Sequence, residues 1–151
     1  MTVESVLEQA QQQILDEAFD ALGRSHVRSY ESAGESFTRQ GLATLFTLVV
    51  EAIRHRDLDR ISAYAAELAD QRFNAGFGIG DVQTAFNALE ESMWHHLVAV
   101  EPAEDLAEPI GLLSTVLGAG KDSLAREYVS LASHRHVTSL DLSALFEGTS
   151  S

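Results

Sequence analysis

The chain has 151 residues, 45% hydrophobic and 22% charged, which fits one globular domain at about 100–200 residues per domain. It contains no cysteine and only 2 prolines, so disulfide frameworks, thiolate zinc sites, iron–sulfur ligation, cysteine nucleophiles and Pro-rich classes are excluded. Its formal net charge is −13, with 23 acidic residues against 10 basic ones. The basic residues are scattered, and the nearest thing to a cluster, Arg54-His55-Arg56, runs straight into Asp57 and Asp59. A phosphate backbone needs clustered Lys and Arg, so neither nucleic acid nor an anionic membrane is an expected partner. No apolar run reaches the ~18–20 residues of a membrane span, and the opening MTVESVLEQAQQQ is too polar for a secretory signal. The expected location is the cytoplasm.

Apolar residues at three- and four-residue steps predict a first helix over Val3 to Leu22, through Val6, Leu7, Ala10, Ile14 and Ala18. Thr2 is its N-cap and Gly23 its stop. Arg24–Glu35 lacks periodicity and reads as a connection with at most one helical turn. A second helix begins near Ser36 and carries Phe37, Leu42, Leu45, Phe46, Val49, Val50 and Ile53. So wide an apolar face marks a central helix.

Asp57 caps a third helix with the stripe Ile61, Tyr64, Ala65, Leu68, Ala69 and Phe73. A glycine-rich run, Gly76-Phe77-Gly78-Ile79-Gly80, leads into a fourth helix with core positions Val82, Ala85, Phe86, Leu89, Met93 and Leu97. Asp81 complements the positive end of that helix, and Gln83 falls in capping-box range. Trp94 falls at its boundary, at least partly buried. Pro102 ends the pattern, and Pro109 opens a last one through Leu112, Leu113, Val116, Leu117, Leu124, Tyr128 and Leu131. With no sustained alternation and no hairpin turn, the fold class is all-α, a single-domain bundle of five to six helices.

Six histidines invite a search for a metal or haem. Glu51/His55 and Glu91/His95 are four apart, which allows a two-ligand surface pair but lacks the Glu-x-x-His spacing of a di-iron bundle. In the alternative reading, a globin-like haem site, His95 or His96 would be the proximal ligand and Tyr64 or His55 a distal group. The glycine run is G-x-G-x-G between helices, unlike a dinucleotide fingerprint, and no G-x-S-x-G elbow exists. No catalytic residue, metal ligand or cofactor is therefore expected.

Read from the residues alone, Arg72 sits at the end of the third helix, where a cation suits the dipole and caps carbonyls. Gly76 allows a left-handed turn, Phe77 and Ile79 plug the corner, and Gly78 and Gly80 permit close helix approach. Arg72, Gly76, Phe77, Gly78 and Gly80 form a candidate corner, either purely structural or a switch. Leu142, Leu145 and Phe146 form a candidate interaction tail that docks on the body, on a partner, or leads into a linker. The domain division is 1–136 for the helical body and 137–151 for the tail.

Three stretches carry a resemblance to a known family: His26-Val27-Arg28-Ser29-Tyr30, the run from Leu68 to Val82, and Phe86, Leu89, Met93 and Trp94. Over roughly residues 1–132 the chain resembles the RsbRD-type N-terminal domain, the sensory half of certain stressosome co-antagonist proteins. The resemblance implies a bacterial, non-enzymatic input or protein-interaction module acting on other chains or on its own copy as a homodimer. In that family the domain normally feeds an output domain, for which the sequence up to Ser151 leaves no room. It is then a freestanding relative or the input domain of a longer chain. The alternative is a helical sensor of a small ligand or haem.

Overall fold

The computed structural model describes the backbone of residues 2–150 and the side chains of residues 2–134. Seven α-helices and no strand are present among the described residues: α1 Val3–Gln9, α2 Gln11–Arg24, α3 Arg28–Ala33, α4 Glu35–His55, α5 Asp59–Asn74, α6 Ile79–Val100 and α7 Ala107–Ser150. A single 3-10 turn, Ala103–Asp105, joins α6 to α7. The all-α class holds, and the expected count of five to six helices was low.

The surplus has two physical sources. The first predicted helix is broken at Ala10, whose φ of −105° and ψ of 14° leave the helical region. Hydrogen bonding resumes at once from Ile14 N–H to Ala10 O, so Val6, Leu7, Ala10, Ile14, Ala18 and Leu22 stay on one buried face across the break. The connection Arg24–Glu35 contains α3, bounded by two left-handed residues, His26 at φ 51° and Gly34 at φ 100°.

Capping follows the sequence in part. Thr2 Oγ1 accepts from Ser5 N–H at 3.2 Å as expected. Asp57 instead closes the turn before α5 by accepting from Asp59 N–H at 2.9 Å. At α6 it is Asp81, not Gln83, that reaches back to the N-cap, where Gly78 N–H donates to Asp81 Oδ2 at 3.0 Å.

The core explains the arrangement. Helix α4 buries Leu42, Leu45, Phe46, Val49, Val50 and Ile53, and it packs against all six other helices, as a wide apolar face requires. Helix α7 lies chiefly on α5 and α6, and α2 on α6. A glycine marks one close approach among these helices. A Cβ at Gly120 would stand 3.2 Å from Phe86 Cε2 and 3.5 Å from Ile61 Cγ1, so a side chain there would press on the Phe86 ring.

Buried or half-buried hydroxyls add polar ties between these helices. Ser92 Oγ donates to Ile14 O at 2.7 Å, and Ser123 Oγ donates to Ser62 O at 2.7 Å. Trp94, expected at the boundary, is an exposed side chain that retains 42% of its surface. Among the described residues no helix is long and apolar enough to cross a membrane.

Candidate functional site

The corner between α5 and α6 begins with the stripe of α5. Arg72 lies four residues after Leu68 and three after Ala69, so helical geometry turns its side chain inward with theirs. It is 8% exposed. The capping role expected for this cation is therefore corrected: the guanidinium points into the core. Its Cζ lies 4.4 Å from the centroid of Phe37 and 5.4 Å from that of Phe77. Gly41, one turn after Phe37 on α4, lies beside it, and a Cβ there would stand at an ordinary contact distance of 3.5 Å from Arg72 Nη2. Phe73, expected in the stripe, is only half-buried and packs edge-on to Tyr128 at 5.8 Å.

The chain then turns through Gly76 at φ 88°. Gly76 N–H donates to Phe73 O at 3.1 Å and Phe77 N–H donates to Arg72 O at 2.9 Å, the paired bonds of a Schellman motif. Such motifs bring together the residues on either side of the turn that are here Arg72 and Phe77, and a cation–π contact replaces the usual apolar one. Gly78 has an ordinary φ of −75° and is the N-cap of α6. Gly80 lies in the first turn of α6 with open space where a Cβ would stand, so nothing around it requires a glycine.

Three other helices close on this corner. From α3, Ser29 Oγ donates to Asp81 Oδ2 at 3.0 Å, and Tyr30 meets Phe77 edge-on with centroids 4.9 Å apart. From α4, Phe37 completes the aromatic triangle at 6.2 Å from Phe77 and 6.4 Å from Tyr30. From α7, Tyr128 Oη donates to Phe77 O at 3.0 Å in a buried bond. Ser29 and Tyr30 thus meet Arg72, Phe77 and Asp81 in space, though some fifty residues separate them in sequence.

Electrostatically the corner is unusual. Among the described residues no carboxylate pairs with Arg72, and its Nε is the one buried side-chain polar atom without a hydrogen-bond partner. Burial raises the Tyr30 hydroxyl above its ordinary range, while the Arg72 guanidinium acts against that rise through a hydrogen bond and its charge. Tyr64 is raised by burial as well, again opposed by Arg72. Tyr128 is pushed up to about 12, by burial first and then by Tyr30. All three hydroxyls stay protonated at neutral pH, so none neutralises the cation. Two rings at such distances return about 0.5–2 kcal/mol each, against a desolvation cost of several kcal/mol for a buried ion.

One space adjoins the cation, and a second lies beyond Tyr30 and Thr38. An inner cavity of about 20 Å³ is bordered by Arg72, Gly41, Tyr64 and Phe86, and an outer pocket of about 240 Å³ by Phe19, Val27 and Gly34. Leu22, Tyr30 and Thr38 border both.

The other sequence candidates lie elsewhere. His55 and His95 are exposed and pair with Glu51 at 3.1 Å and Glu91 at 3.9 Å. No group of three or more metal-ligating side chains converges among the described residues. Leu142, Leu145 and Phe146 lie outside the residues whose side chains are described. Sequence reasoning missed Gly41, Thr38 and the inward turn of Arg72. A glycine in the middle of a strong helical pattern was the available signal for the first.

Removing the Tyr128 hydroxyl tests how firmly α7 holds the corner. Tyr128→Phe leaves Phe77 O without its buried donor, and a loss of about 1–3 kcal/mol is expected in urea unfolding. Amide exchange should rise at residues 76–82.

Among the described residues the chain is an all-helical bundle with a buried cation at the corner between α5 and α6. The family model of the RsbT co-antagonist protein rsbRD N-terminal domain matches residues 6–141, and the chain belongs to that family of stressosome signalling modules. No curated protein and no solved structure matches the chain.

Proposed function

We propose that this domain is a non-enzymatic, cytoplasmic input module that acts by binding other protein chains, its own copy among them, with the corner at Arg72, Gly76, Phe77, Gly78 and Gly80 as its switch. The family membership of residues 6–141 is the observation that carries this reading. The corner suits a switch because Tyr128 fastens it to α7 by one buried hydrogen bond. Any movement of Phe77 is thereby felt by α7, which runs to Ser150. Exposed apolar side chains support protein contact. Trp94 and Val98, one turn apart on α6, keep 42% and 43% of their surface, and Val129 on α7 keeps 63%.

In this reading residues 1–136 form the sensory body, and 137–151 form an interaction tail in which Leu142, Leu145 and Phe146 are the contact residues. The test compares the full chain with a variant lacking residues 138–151, by sedimentation velocity and urea unfolding. Loss of self-association with stability retained is the expected result. Loss of stability alone would make the tail a part of the core, and no change in either would overturn the proposal.

A further inference from the structure

We propose that Arg72, the cavity it borders and the outer pocket beyond Tyr30 and Thr38 form a binding site for a short organic monocarboxylate with an apolar body. Arg72 is more than nine-tenths buried, lines the inner cavity, and lacks both a carboxylate partner and an acceptor for its Nε among the described residues. A guanidinium keeps its charge at every physiological pH, so the interior holds a cation that an anion would complete. Its planar fork matches a carboxylate better than any other small anion.

The volumes set the size of the ligand. The inner cavity, about 20 Å³, takes about one water-sized group, and the outer pocket of about 240 Å³ takes a chain of a few carbons. Phe19, Leu22 and Val27 give the outer pocket an apolar wall. Seating the headgroup requires Tyr30 and Thr38, which stand between the two spaces, to turn aside. The bound carboxylate then replaces the Tyr30 hydroxyl as partner of the guanidinium, and the Tyr30 ring leaves its contact with Phe77. Glu31 and Glu35 border the outer pocket, so a second negative charge on the ligand meets repulsion there. The site thus selects a monocarboxylate over dicarboxylates and phosphates.

The inference stands apart from the protein-contact reading, because binding is measured without reference to self-association. Calorimetric titration of the full chain at constant ionic strength would compare hexanoate, hexanamide, adipate and sodium chloride. Saturable hexanoate binding is expected, with the amide and the diacid about tenfold weaker or more and chloride without effect. The same series read by near-ultraviolet circular dichroism should show a tyrosine change with hexanoate alone. Arg72→Met should abolish the binding while the variant stays folded. Should that variant not fold, the comparison of acid with amide on the native chain decides alone. Equal binding of hexanamide, equal response to chloride or adipate, hexanoate binding retained in a folded Arg72→Met, or no binding at all would each overturn the proposal.

Discussion

Phe86→Ala is expected to lower folding stability by about 3–5 kcal/mol, the range for a fully buried aromatic ring. Phe86 is 1% exposed on α6 and borders the inner cavity, while its Cε2 faces the backbone of α7 at Gly120. Both neighbours make the loss hard to repair. The existing cavity of about 20 Å³ would merge with the new void rather than be filled by it. Gly120 has no side chain to move in, and Ile61 already rests against α7 there. Relaxation is therefore small, and the cost should fall toward the upper end of the range. Urea unfolding followed by helical circular dichroism checks this, with the midpoint lowered and the slope unchanged. A loss below about 1 kcal/mol would show that the three helices do not meet as described.

The arrangement around Arg72 explains why so much of the corner is aromatic. A buried cation with no carboxylate paired to it among the described residues needs electron-rich surfaces and oriented hydroxyls, and Phe37, Phe77 and Tyr30 supply them from three separate segments. Each of those contacts also fixes the angle at which α5 gives way to α6. The stability of the corner is consequently tied to the state of one charge. A ligand that neutralised the charge would release the tyrosine, whose ring is one of the two that meet Phe77 edge-on or tilted. Phe77 in turn is held by Tyr128 of α7.

Much of the fold was legible in the sequence because helical periodicity is a strong signal over long segments. The wide face of Leu42 to Ile53 gave α4 its central place, and the glycine run gave the corner. The break at Ala10 left no trace, because the residue is a good helix former and the apolar stripe continues through it. Helix α3 has six residues and one buried side chain, Tyr30, which is too short a stretch for periodicity to register.

The site was half legible. Gly76 and Phe77 could be placed by their chemistry, but the direction of Arg72 could not be settled by residue type. A charged residue on an apolar stripe is read as surface, and Phe73 beside it offered a more ordinary core residue. Only tertiary packing decides between them, through Phe37 of α4, far away in sequence. The meeting of Ser29 and Tyr30 with the corner is likewise a product of packing, with no local pattern to announce it.

The glycines of the corner should separate sharply when substituted. Gly76 has φ 88°, a conformation that a β-branched side chain resists, and both hydrogen bonds of the turn depend on it. Gly76→Val is expected to cost about 1–3 kcal/mol in urea unfolding, although a Cβ there meets open space. The penalty is purely one of backbone conformation. Gly80 is the contrasting case. It lies within α6, a Cβ there meets nothing within 4 Å, and its φ is not left-handed. Gly80→Ala should therefore stabilise the protein by about 0.5–1 kcal/mol, since alanine loses less entropy than glycine in a helix. Opposite signs for two glycines four residues apart would place the strain at Gly76 itself. Equal effects would mean that the turn owes its shape to the surrounding aromatic contacts rather than to glycine, and Gly76→Val without effect would show its backbone to be ordinary.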